Sequence, residues 1–273
     1  MPVAPLTLLV DNGSLEPAST LALRALAANL STRLGQTVEP VSLLHSSGIE
    51  PARLGGQPAE LLFPALEKRL GQGRNDFVVL PLFFGPSRAL TEYLPENLAR
   101  LQAKFPGLSA RVAAPLHAAG DDRLARILAD HVRSEIDTKA AEPVRVAVVD
   151  HGSPVATVTA VRDELARQLS ALLGPAVAAV APSSMERRPE PTYDFNDPLL
   201  ARLLETPPWA EARVIVAMQF LLPGRHAGPN GDIATICRDA ESRHPSLRTH
   251  LTRLVGEHPL LLEILADRWL AAG

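Results

Sequence analysis

Two aliphatic runs stand at matching places along the chain. Leu6–Val10 and Val144–Val149 are interrupted only by Thr7 and Arg145. Strands buried on both faces read this way, because neither side of the ribbon meets water. Each run gives way to a turn of small and polar residues, Asp11-Asn12-Gly13-Ser14 and Asp150-His151-Gly152-Ser153. A stretch of helical periodicity follows each turn, Ala18–Leu34 and Val158–Leu173. The pattern predicts second strands near Val38–Leu44 and Val177–Ala181, and third strands at Phe77–Phe84 and Val214–Leu221. A closing helix in each half carries the tetrapeptide Ile-Leu-Ala-Asp, at 127–130 and 264–267. Such alternation predicts an α/β fold of parallel sheets flanked by helices. In those sheets ligands bind beyond the carboxyl ends of the strands, which singles out the turns Asp11–Ser14, Gly85–Ala89, Asp150–Pro154 and Pro223–Asp232.

The same pattern shows that the chain repeats itself. Besides the two turns, Leu26-Ala27 matches Leu165-Ala166, Leu30-Ser31 matches Leu169-Ser170, and Leu34-Gly35 matches Leu173-Gly174. Phe83–Arg88 (FFGPSR) parallels Phe220–Arg225 (FLLPGR). The offset stays within two residues of 139 throughout. A period that long excludes a solenoid and predicts two similar flavodoxin- or Rossmann-like domains, residues 1–140 and 141–273, facing a central cleft. The join falls in the polar stretch Asp137–Pro143.

Composition narrows the class. Hydrophobic residues make up 46% of the 273 and aromatics only 4%, so the core is aliphatic. With 27 basic against 30 acidic residues the formal net charge is −3, which gives no sign of a nucleic-acid or anionic-membrane partner. The single cysteine, Cys237, excludes an internal disulfide and a thiolate-rich metal site, and it suits a reducing compartment. No stretch is apolar enough to cross a bilayer, and the opening run Val3–Val10 lacks a basic leader. The expectation is a cytoplasmic protein, monomer or homodimer.

Three polar residues of the second half fall where a site belongs. His151 follows the first strand, Glu186 follows the second, in Ser183-Ser184-Met185-Glu186-Arg187-Arg188, and His226 follows the third, in Pro223-Gly224-Arg225-His226-Ala227-Gly228. Their spacings of 35 and 40 residues are one βα unit each, so successive parallel strands can bring all three to one rim. The remaining histidines, His45, His117, His131, His244, His250 and His258, read as structural.

A histidine in an HGS turn, a glutamate one unit later and a histidine in a GRH turn together resemble the active-site set of the sirohydrochlorin chelatases, within the class II tetrapyrrole chelatases. The segments GRHAGPNGDI, 224–233, and Gly256-Glu257-His258-Pro259-Leu260-Leu261 are similar to that family too. The resemblance covers most of the second half, and the first half in framework only. It implies two chelatase-like domains and insertion of a divalent metal, Co2+, Fe2+ or Ni2+, into a tetrapyrrole. The metal is then a substrate and no nucleotide cofactor is needed. His151, Glu186 and His226 would be catalytic, with His151 and His226 holding the metal. Neutral imidazole suits Co, Fe and Ni, and two imidazoles leave positions through which a macrocycle can take the ion. Histidine near neutrality also accepts protons, and Glu186 could pass them outward. A substrate rich in carboxylates favours Arg forks and helix N-termini, so Ser153, Arg187, Arg188, Arg225 and Arg88 are candidate substrate contacts.

The first half lacks the set. Asn12 stands opposite His151, Ala89 opposite His226, and Ile49 opposite Glu186 with Glu50 one step away, whereas Arg88 still matches Arg225. The first half reads as a scaffold, with Arg88, Glu92 or Tyr93 as possible contributors. A non-catalytic tetrapyrrole or metal carrier using the same histidines is the competing reading. No G-x-G-x-x-G, P-loop or G-x-S-x-G occurs, which disfavours a dinucleotide enzyme, a nucleotide-driven machine and a serine hydrolase.

Overall fold

A computed structural model describes residues 4–136 and 144–273; the expected join at Asp137–Pro143 lies outside the described residues. In chain order the elements are β1 (Leu6–Asp11), α1 (Pro17–Leu34), β2 (Val38–Ser42), α2 (Leu62–Gly71), β3 (Asp76–Pro81), α3 (Leu94–Lys104), β4 (Ser109–Val112) and α4 (Arg123–Glu135). The second half repeats them as β5 (Arg145–Asp150), α5 (Ala156–Leu173), β6 (Ala179–Ser184), α6 (Leu200–Glu205), β7 (Arg213–Met218), α7 (Asp232–Arg243), β8 (Arg248–Leu251) and α8 (Leu260–Ala272). Among the described residues no helix is long and apolar enough to cross a membrane.

Each half forms one four-stranded, wholly parallel sheet, in the order β2-β1-β3-β4 and β6-β5-β7-β8. The expected α/β class and the six predicted strands are present, with ends moved by a few residues. Two further strands, β4 and β8, close one edge of each sheet and were not expected. The chain leaves β5 in one direction to reach β6 and then crosses to β7 on its other side. The resulting switch point, between the carboxyl ends of β5 and β7, is where such a sheet opens a crevice. Central strands are the aliphatic runs of the sequence: Leu8, Leu9 and Val10, and likewise Val146 to Val149, are fully buried. Helices cover both faces of each sheet, and Val149, Met218, Leu200 and Ile233 lie within one cluster on the face carrying α6 and α7.

Packing divides the chain into two compact units, Met1–Ala118 with Leu262–Gly273, and Ala119–Leu261. Nearly all of α8 thus belongs to the first unit. Its Trp269 Nε1 donates to Thr7 Oγ1 at 2.9 Å, and Arg268 donates to the carbonyl oxygens of Pro115 and Leu116. The first half's own closing helix, α4, packs in the second unit against α5 and β7. The repeat in the sequence and the units of packing are therefore two different divisions of the same chain.

Candidate metal and tetrapyrrole site

The second unit brings His151, Glu186 and His226 to one rim. His151 is the first residue after β5, Glu186 the second after β6, and His226 lies in the loop from β7 to α7. The two imidazole rings meet edge to face, with centroids 4.8 Å apart and planes at 75°. Glu186 Oε1 lies 3.6 Å from His151 Nε2. All three side chains are partly open to solvent.

Local structure fixes this arrangement. The backbone N–H of Glu186 donates to the His151 carbonyl at 3.2 Å, so the two segments run in contact. Gly152 permits it: its φ is +90°, and a Cβ there would fall 1.9 Å from the Glu186 carbonyl oxygen. Only glycine satisfies both demands. Beneath the turn, the nine-tenths buried Asp150 accepts hydrogen bonds from Gly152 N–H and from Ser184 Oγ. Burial pushes its carboxyl pKa upward, against the lowering effect of Ser184, Arg162 and the Gly152 amide.

Hydrogen bonding also settles the tautomers. His226 Nδ1 sits 2.6 Å from Asp232 Oδ2, and a carboxylate only accepts, so Nδ1 carries a proton, and in the neutral ring Nε2 is the nitrogen with the lone pair. His151 Nδ1 lies 3.0 Å from the Gly152 carbonyl oxygen, with the same consequence. Both imidazoles are thus tied through Nδ1, which leaves Nε2 as the nitrogen turned to other partners, Glu186 in the case of His151. Asp232 opens α7, where the helix N-terminus favours its negative charge. This residue was missed as a site residue, although its place in the GRHAGPNGDI segment, six positions after a histidine and at a helix start, is the kind of signal that marks an orienting carboxylate. Among the described residues no three His, Cys, Asp or Glu side chains form a ready-made metal cage.

The CbiX family model matches the chain twice, over residues 6–135 and 145–272. The chain belongs to the CbiX family. The double match gives the duplication its family meaning: each half is one CbiX repeat. Among solved structures, SirB from Bacillus subtilis with Fe3+ is similar over 97% of this chain and 94% of its own, at 16% identity and a TM-score of 0.70. The sirohydrochlorin chelatase SirB from Bacillus subtilis subspecies spizizenii in complex with cobalt matches over 99% and 95%, at 15% identity and 0.72. CbiX, described as the terminal enzyme for biosynthesis of siroheme in denitrifying bacteria, matches over 98% and 99%, at 19% identity and 0.64. At these identities the likeness is one of fold. No curated protein sequence matches the chain.

Within this CbiX-family chain the candidate arginines differ in their commitments. Arg187 is mostly buried and held by Asp194 at 2.9 Å and Asp197 at 3.1 Å. Arg188 lies over the Tyr193 ring, 5.5 Å from its centroid, and Arg225 is exposed, with a long 3.6 Å pairing to Asp232. Ser153 spends its hydroxyl on the Val155 N–H. Arg88 belongs to the first unit, where it is exposed and pairs with Glu92 at 3.7 Å.

The first repeat corrects one expected correspondence. Leu44, not Ile49, occupies the place of Glu186: its N–H donates to Asn12 O at 3.1 Å as that of Glu186 does to His151 O. Gly13, with φ +89°, approaches the Leu44 carbonyl just as Gly152 approaches that of Glu186. The stretch from the end of α5 to the end of β6 (173 to 184) is three residues longer than that from the end of α1 to the end of β2 (34 to 42), so a constant sequence offset misplaces the pair. The first-repeat set is thus Asn12, Leu44 and Ala89.

Proposed function

We propose that this chain inserts a divalent metal, Co2+ or Fe2+ with Ni2+ as a further candidate, into sirohydrochlorin or a closely related tetrapyrrole. The observation that carries the reading is the pair of imidazoles 4.8 Å apart, each hydrogen-bonded through Nδ1. Membership of the CbiX family and the fold shared with chelatases solved with iron and cobalt support it.

In this reading the ion rests on His151 and His226 and keeps its other positions for water and for the incoming macrocycle. Two pyrrole N–H protons must leave as the metal enters, and they are the only by-product. Once the ion has moved to the macrocycle, an imidazole Nε2 is free to accept a proton, and Glu186 stands 3.6 Å from that of His151 to pass it on. Arg188 and Arg225 are the guanidinium groups best placed to meet substrate carboxylates; Arg187 would have to give up two ion pairs.

The test is to incubate the purified protein with metal-free sirohydrochlorin and each metal and to follow the absorption change. Turnover that disappears in His151→Ala and His226→Ala supports the proposal. Tight tetrapyrrole or metal binding without turnover would mark a carrier instead.

A further inference from the structure

One charged side chain of the second unit is buried beneath the site, its guanidinium paired on one side with Asp163 at 2.8 Å. Arg162 of α5 is 1% exposed. Its Nη1 donates to Ser184 Oγ at 2.5 Å and to the Asn196 carbonyl at 2.7 Å. Ser184 Oγ donates in turn to Asp150 Oδ1 at 2.6 Å. The Asn196 side chain holds both backbone groups of one residue, its Oδ1 accepting from Ser153 N–H and its Nδ2 donating to Ser153 O. The guanidinium therefore joins three segments: the strand end that leads to Glu186, the turn that carries His151, and the short helix Pro191–Asn196.

Burying a guanidinium is costly, and an apolar residue of similar bulk is often as stable or more so. The first repeat shows that alternative. Leu23 is the counterpart of Arg162, while the buried aspartate and its serine are retained as Asp11 and Ser42. There Arg24, one position on, anchors the corresponding loop from outside by donating to Leu54 O, Gln57 O and Pro58 O. Asp11 Oδ1 has no hydrogen-bond partner of ordinary geometry, and Ser42 and the Gly13 amide are the groups that ease its burial. The repeat that carries Asn12 and Leu44 folds with leucine, and the repeat that carries His151 and Glu186 has arginine.

We infer that Arg162 is a positioning residue of the metal site, holding the His151 turn and the Glu186 segment at a fixed separation through Ser184 and Asn196. The inference rests on the proposed reading of His151 and His226 as metal-holding groups. Its consequence is that loss of the guanidinium loosens both segments and weakens metal binding without removing any ligand.

The experiment uses the full chain and Co2+ alone, with affinity measured by calorimetry, the bound ion's absorption spectrum recorded, and thermal unfolding followed in parallel. Arg162→Leu, which installs the first repeat's residue, is expected to fold and to bind Co2+ about 10- to 100-fold more weakly, the usual loss when a group supporting metal ligands is removed. Arg162→Lys restores one donor to Ser184 or Asn196 and is expected to recover part of the affinity. A purely structural role would lower the unfolding temperature and leave Co2+ affinity and spectrum unchanged; that result in folded R162L overturns the inference. If R162L does not fold, Ser184→Ala, which cuts only the link between Arg162 and Asp150, decides in the same way, with wild-type affinity overturning it. Failure of the chelatase reading shows elsewhere: wild-type protein that binds Co2+ but never metallates sirohydrochlorin refutes that reading, while the affinity ratio still judges Arg162.

Discussion

His226 and Asp232 show how much of the proposed site depends on a carboxylate that orients an imidazole. The 2.6 Å bond fixes the proton on Nδ1 and the orientation of the ring. Asp232→Asn keeps the size and an acceptor oxygen but loses the negative charge. Co2+ affinity should fall about 10- to 100-fold, and calorimetric affinity equal to wild type would show that Asp232 does not orient a ligand. His131 is a different kind of histidine. It is buried in α4, its ring 5.4 Å from that of His258, and neither nitrogen has a hydrogen-bond partner of ordinary geometry. Burial lowers its pKa below the usual 6.5; the charges of Arg253 and His258 act in the same direction, and Glu257 and the Arg253 backbone oppose them. The unfolded chain then binds the proton more readily than the folded one. The stability His131 contributes is complete above about pH 6.5 and is lost as pH falls through that value toward the folded pKa. Urea unfolding at mildly acidic and at neutral pH should show wild type losing more stability on acidification than His131→Leu; equal losses would place the pH dependence elsewhere.

Among the elements, the turns after β1 and β5 carry the strictest demands. Gly152→Ala would place a methyl 1.9 Å from the Glu186 carbonyl at a φ of +90°. Strained backbone of this kind costs roughly 1–3 kcal/mol, and relieving the overlap must also push the Glu186 segment away. Gly35→Ala, at φ +66° with nothing within 4 Å, bears the backbone cost alone. Denaturant titrations should therefore find G152A the less stable of the two, and G152A alone should lose Co2+ affinity; similar behaviour would mean that the turn is not under the stated constraint. The same elements show what a sequence can reveal. Central strands announce themselves because burial on both faces demands unbroken aliphatic runs, as in Val146–Val149. The edge strands Ser109–Val112 and Arg248–Leu251 have four residues each and exposed positions, so no apolar run marks them. His151, Glu186 and His226 were legible because each lies in the segment that leaves the carboxyl end of a strand that was legible. The Leu44 correspondence was not, because it depends on loop length, and neither was Asp232, whose role depends on a loop folding back to its own histidine.

At the scale of the molecule, duplication and packing follow different boundaries, and folding should follow packing. The repeat suggests cutting the chain at 140, yet α4 lies on the second unit's sheet and α8 on the first's. The apolar face of α4 presents Ile127, Leu128 and Val132, all fully buried, together with Leu124, Ala125 and Ala129. Burying each large aliphatic side chain is worth about 1.5–3 kcal/mol, so the helix supplies a sum comparable to the roughly 5–15 kcal/mol that holds a whole domain together. A fragment of residues 141–273 lacks that helix, exposes the face of β7 and α5 beneath it, and carries α8 with its Thr7, Pro115 and Leu116 partners missing. A fragment of residues 119–261 keeps α4, omits nearly all of α8, and contains His151, Glu186, His226 and Arg162. We expect the second fragment to unfold cooperatively in urea and to bind Co2+. The first should show a broad transition and bind the apolar dye that reports exposed core. Cooperative folding of 141–273 with failure of 119–261 would mean that each repeat is its own folding unit and that the exchanged helices add little. The predicted order would mean that duplication built two sheets, and that neither sheet is complete without chain from the other repeat.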